Sequence, residues 1–113
     1  MDQTIRQLKA LGDPNRFRIA MMLRSRPLCV CELLSVLDIA GGTLSNHLKV
    51  LENAGLISHK KDGKWMEYFI SNSEAESFIQ TIENRLDDLW QITDDRNKIK
   101  KISRSICSAG SGN

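Results

Sequence analysis

Between Thr43 and Ile70 the hydrophobic period of the chain changes once, at Gly55, and that switch limits the possible folds more than any other feature. Before it, Leu44, Leu48 and Leu51 fall at i, i+4 and i+7, which predicts an amphipathic helix from Thr43 to Ala54. Gly55 suits the left-handed cap that ends such a helix. After it, Leu56 to Lys61 and Lys64 to Ile70 flank Asp62-Gly63, a strong local signal for a β-hairpin. Trp65, Tyr68 and Phe69 suit strands, and Lys60, Lys61 and Lys64 crowd the hairpin tip.

Upstream, the pattern is helical throughout. Ile5, Leu8 and Leu11 lie three residues apart and predict a short helix from Thr4 to Leu11, stopped at Gly12. Asp13-Pro14 supplies an N-cap acceptor and a proline at the first helical position, so a second helix runs from Pro14 to about Arg24. Its apolar residues Phe17, Ile19, Ala20, Met22 and Leu23 are dense enough to be largely buried. Pro27 separates it from a third helical run with Leu33, Leu34 and Leu37 inward, and Gly41-Gly42 predicts a tight turn before the next helix.

From Glu74 to about Arg104, Phe78, Ile82, Leu86 and Leu89 form a stripe. Ile99, Ile102 and Ile106 extend it past a polar interval from Thr93 to Lys98. A helix this long exceeds the needs of one small core, and a partner helix explains it. Residues 1–106 therefore read as one domain and 107–113 as a flexible tail.

The 113 residues, 41% hydrophobic and 27% charged, suffice for one core without disulfide framework or metal. The longest apolar stretch, Ile19 to Leu23, is too short for a membrane span, and the polar start is no signal peptide, which implies the cytoplasm. Three cysteines in a reducing compartment are ligands, sensors or core residues more often than bridges. The net charge of +2 hides a segregation. Residues 1–73 carry ten basic against seven acidic groups, 74–95 one against seven, and 96–113 five against none. A polyanion can use the first and last of these stretches.

Two helices joined by a glycine turn, then a hairpin with a basic tip, make a winged helix-turn-helix, mainly α with a two-stranded hairpin (an α+β class). With Leu44 at zero, Ser45 lies at about 100°, Lys49 at about 140°, Asn53 at about 180° and Asn46 at about 200°. That polar face points away from the core and fits a major groove, while Lys60, Lys61 and Lys64 reach phosphates beside it. His47 falls at about 300°, beside the core stripe, where it serves either as a buried structural histidine or as a DNA contact.

Ala10-Leu11-Gly12-Asp13-Pro14-Asn15-Arg16-Phe17-Arg18-Ile19, the run from Thr43 to Ile57, and Asp62-Gly63-Lys64-Trp65 resemble the ArsR/SmtB family of metal- and metalloid-responsive repressors. The resemblance covers residue 5 to about 92. It implies a homodimer paired through its first and last helices that leaves operator DNA on binding its effector. It also implies DNA contacts from Thr43, Ser45, Asn46 and His47. The family often has Ser-Gln before this helix, where this chain has Ala40-Gly41, so the operator sequence is not transferable.

Pro27-Leu28-Cys29-Val30-Cys31-Glu32-Leu33 resembles the arsenic-responsive branch, which carries Cys-Val-Cys here. Paired thiolates select soft ions, so arsenite or antimonite is the effector this implies. On a helix Cys29 and Cys31 point about 200° apart, whereas in an extended segment they share a face. Binding both sulfurs should therefore distort the start of the third helix. Leu34 stands where the branch often has its third cysteine, which leaves Cys107 as a third ligand or a free tail thiol. The zinc-sensing branch uses Asp and His on the last helix. Asp87 and Asp88 are present, but the only histidines are His47 and His59. The alternative signal is an oxidant or reactive sulfur acting on the same cysteines. No strand–helix alternation supports a thioredoxin-like enzyme, and the basic hairpin argues against a pure dimerisation module.

Overall fold

A computed structural model describes residues 2–86 and 90–107, with backbone alone at Trp90, Ser105 and Cys107. Helices α1 (Gln3–Leu11) and α2 (Pro14–Ser25) begin on aspartate caps. The Asp2 carboxylate accepts from the Ile5 N–H at 3.3 Å, and that of Asp13 from the Arg16 N–H at 3.1 Å. Strand β1 (Leu28–Cys29) leads into α3 (Val30–Val36), followed by α4 (Gly41–Asn53), β2 (Ile57–Asp62) and β3 (Trp65–Ile70). Helices α5 (Ser73–Asn84) and α6 (Trp90–Lys100) and a 3-10 turn, Arg104–Cys107, complete the chain.

The expected hairpin is present and gains a third strand. The sheet order is β1-β3-β2, all antiparallel, with Cys29 opposite Glu67 and Lys60 on the other side of Glu67. Two residues of β1 are too few to show an alternating pattern, so sequence periodicity missed them. Gly55 (φ +81°) and Gly63 (φ +64°) take the left-handed conformations expected of them. Gly41 and Gly42 do not form a turn; they lie in the first turn of α4, at negative φ.

Helix α2 is the hub of the core, packed by α1, α4, α5, α6 and β3, and Ile19 through Leu23 are buried on every side. Phe17 is only half-buried. The long C-terminal helix expected from Glu74 to Arg104 is instead two helices and a turn, because the chain folds back so that both α5 and α6 cover α2. The buried face of α5 is rotated from the expected stripe: Ala75 and Ile79 are deepest, Phe78 and Ile82 are half-buried, and Leu86 is exposed. On α6 the buried positions are Ile92, Asp95 and Ile99, so an acidic residue occupies a core position and makes the interval read as polar. Asp87, Asp88, Leu89 and residues 108–113 lie outside the described residues.

Arginines tie these helices together. Arg24 of α2 pairs with Glu76 at 2.8 Å and with Glu83, both on α5, while Arg96 of α6 grips the Glu83 carboxylate at 3.0 and 3.1 Å. Burial alone would raise the Glu83 carboxyl, but the hydrogen bonds and charge of Arg96 and Arg24 outweigh it and hold the group below its usual range. A carboxyl lowered in the folded state contributes stability above its unfolded pKa and loses that contribution as pH falls through the folded one. Glu83→Gln should therefore melt a few degrees below wild type at pH 7. The gap should close as the pH drops below about 4.5, which thermal unfolding by circular dichroism across pH 3–7 checks.

Candidate nucleic-acid interface and thiol site

Leu44, Leu48 and Leu51 anchor α4 on the core, and their spacing turns the opposite face outward. Thr43, Ser45, Asn46, Lys49 and Asn53 are all exposed on it. His47 is not: its side chain is 14% exposed, with Nδ1 3.3 Å from Arg16 Nη1 and Nε2 3.9 Å from Asp13 Oδ2. The same Arg16 donates from Nε to the Ala10 carbonyl at 2.7 Å. His47 thus joins α4 to the corner between α1 and α2.

On the wing, Lys60, Lys61 and Lys64 are exposed as expected. Lys60 Nζ lies 3.8 Å from Glu67 and 6.0 Å from the Phe69 ring centre, and Lys64 Nζ stands 4.8 Å over the Trp65 ring. His59 on β2 contacts Glu52 of α4, and its ring centre lies 5.2 Å from that of Tyr68 on β3. The wing and α4 therefore form one continuous surface, basic at the tip and polar along the helix.

The two cysteines of Cys-Val-Cys differ in surroundings. Cys29 is in extended backbone on β1 and fully buried, while Cys31 is half-buried in the first turn of α3 and disulfide-bonded. The helix thus begins after Cys29, and the pair straddles a strand–helix junction. Glu32 fastens that junction by accepting from the Cys29 N–H at 2.8 Å, and its other oxygen lies 3.3 Å from Arg26. Burial pushes the Cys29 thiol up, partly offset by the Arg104 guanidinium beside it. Cys107 ends the 3-10 turn, which packs on α3; its side chain lies outside those described. Among the described residues no three His, Cys, Asp or Glu side chains gather as a metal site. Arg26, Glu32, Glu67 and Arg104 were not singled out in the sequence, since charged residues scattered over three elements leave no local spacing to find.

A surface of this shape, a groove-sized helix beside a basic wing, agrees with the relatives. The profile of the bacterial regulatory proteins of the arsR family matches residues 13–59. The arsenical resistance operon repressor of Escherichia coli K12 is 30% identical over 112 residues, spanning 96% of this chain and 92% of that protein. The chain belongs to the ArsR family. The cadmium resistance regulator CadC of Listeria innocua is 38% identical over 65 residues, 57% of this chain and 55% of that protein. HlyU from Vibrio cholerae superposes with a TM-score of 0.70 at 29% identity, covering 76% of this chain and 94% of that one. The ArsR family consists of winged helix-turn-helix transcriptional regulators and repressors that bind DNA, not enzymes. Among the described residues no helix is long and apolar enough to cross a membrane.

Proposed function

We propose that this chain is a homodimeric repressor that holds operator DNA through α4 and the wing and lets go when arsenite or antimonite engages its cysteines. One observation carries the reading: Cys-Val-Cys sits at the β1–α3 junction, where Cys29 pairs with the wing strand β3 and α3 leads into α4. A change at these sulfurs acts on both DNA-facing elements at once. The arsenical repressor of E. coli, matched over nearly the whole of both chains, supports the metalloid.

As it stands, the junction is not a formed metalloid site. Cys29 is buried with its thiol pKa raised, and Cys31 is disulfide-bonded. The reading requires Cys31 reduced and Cys29 drawn out of β1, which would break the β1–β3 pairing and the Glu32 cap. Cys107 is the proposed third sulfur, its turn being packed on α3. Leu34, in the place of the branch's third cysteine, packs on the core instead. His47 and His59 lie on α4 and β2, away from the last helix, which disfavours a zinc site of the family's other type.

For DNA, the proposed contacts are Thr43, Ser45, Asn46 and Lys49 on α4 with Lys60, Lys61 and Lys64 on the wing; His47 acts as a joint behind them. Lys49→Ala should weaken operator binding several-fold and lower the salt slope by about one per recognition helix, with metalloid binding and thermal unfolding unchanged. For the dimer, Ile5 and Leu8 on α1 stand 41% and 45% exposed. Beside α1, an apolar groove of about 450 Å³ runs between Leu11, Phe17, Ile82, Leu86 and Ile92. Pairing through the first and last helices would cover both.

A second reading, oxidation in place of metalloid binding, is favoured by the disulfide at Cys31. It also accords with a neighbour solved as reduced HlyU, TM-score 0.68. The two readings separate at Cys29. Cys29→Ser should abolish release by arsenite if the metalloid reading holds. It should leave release by hydrogen peroxide intact if Cys31 and Cys107 are the oxidised pair. Fluorescence anisotropy of the chain's own promoter duplex, titrated with each agent, reads both.

A further inference from the structure

Arg104, in the turn after α6, reaches three elements of the fold. Its Nη1 lies 2.9 Å from Asp62 Oδ2 at the tip end of β2, and its Nη2 lies 2.7 Å from Glu67 Oε2 on β3. The guanidinium also stands beside the Cys29 thiol on β1, directly across the sheet from Glu67. One guanidinium thus fastens both wing strands to the C-terminal turn and lies next to the buried cysteine. Its planar fork suits two carboxylates at once, which a lysine ammonium cannot match.

The turn itself is held in place. Arg26 donates to the Ile99 and Ile102 carbonyls at 3.1 and 3.2 Å, fixing the end of α6, while its contact with Glu32 links that end to the cap on Cys29. Between the two arginines lies an open cavity of about 560 Å³ lined by Arg26, Glu32, Glu67, Ile99, Ile102 and Arg104. Arg104 thus borders open space on the side away from the core. Pairing with Arg104 also lowers the negative charge that Asp62 and Glu67 set beside Lys60, Lys61 and Lys64.

We infer that Arg104 is a positioning residue that couples the cysteine site to the wing, holding Asp62 and Glu67 in the DNA-binding arrangement while Cys29 stays seated in β1. Resting on the metalloid reading above, it states how that signal reaches DNA. When Cys29 leaves the sheet, β3 loses the strand paired with it at Glu67, and the Arg104 grip on that carboxylate loosens, so the wing is freed from the C-terminal turn.

The test uses the full-length protein with Arg104→Gln and Arg104→Lys. Wing peptides within residues 57–70 should exchange backbone hydrogen faster in Arg104→Gln than in wild type, without DNA or effector, and Arg104→Lys should restore part of the protection. The ratio of operator Kd with and without arsenite is the second readout, because a merely structural defect weakens both values together and leaves the ratio alone. That ratio is expected within about 5- to 150-fold for wild type and near unity for Arg104→Gln. Unchanged wing exchange, or an unchanged ratio beside a wild type that is released, overturns the assignment of Arg104 alone. A wild type that arsenite does not release overturns the metalloid reading and the coupling with it, whatever peroxide does.

Discussion

Asp95→Ala is expected to cost about 3 kcal/mol of folding stability. Asp95 is 1% exposed and receives Arg18 in a two-pronged ion pair, Nε to Oδ2 and Nη2 to Oδ1, both at 2.9 Å. Gln91 adds a third donor at 3.0 Å. The pair joins α6 to α2 in a low-dielectric place, where one charge left alone bears its full desolvation cost. The Arg18 side chain keeps 21% exposure, so water relieves part of that cost after Asp95→Ala. Arg18→Ala strands the deeper carboxylate and should be worse. Replacing both by leucine should recover most of the loss, since the attraction and the desolvation nearly cancel in such pairs. Urea unfolding at one fixed protein concentration measures all three variants. A loss below about 1 kcal/mol for Asp95→Ala would mean the pair is not closed in solution.

Cys31→Ser should bind operator as tightly as wild type and fail to be released by either arsenite or peroxide. The hydroxyl is a hard oxygen that neither ligates a soft metalloid nor forms a disulfide, and it fits a half-buried place in the first turn of α3. Compared with fully reduced wild type, stability should change by less than about 1 kcal/mol. The whole wild-type ratio of Kd values, about 5- to 150-fold, should disappear. Release of this variant at wild-type effector concentrations would place the sensor away from Cys31.

Much of the fold was legible because it obeys local rules. The Asp13-Pro14 start of α2, the leucines of α4, the left-handed Gly55 and the Asp62-Gly63 turn each declare themselves within a few residues. What escaped depends on partners distant in sequence. Asp95 occupies a buried α6 position only because Arg18 waits there, so a core position read as a polar interval. Strand β1 exists because β3 offers an edge, and Gly41-Gly42 is helical because Leu44 and Leu48 pull the first turn of α4 onto the core. The DNA-facing residues were legible as an outward face. His47, ambiguous on the helical wheel, turned inward to Arg16. At the thiol site the spacing of Cys29 and Cys31 was plain, but their unequal burial, and the arginines flanking Cys29, come from the sheet and the C-terminal turn.

Whether the cysteines govern DNA binding is decided by the operator Kd of the fully reduced wild-type protein, measured by anisotropy on its own promoter duplex before and after addition of arsenite, with peroxide in a parallel titration. Tight binding when reduced, weakened at least about fivefold by arsenite, is the predicted result. The same tight Kd in all three conditions would contradict control of DNA binding by the cysteines.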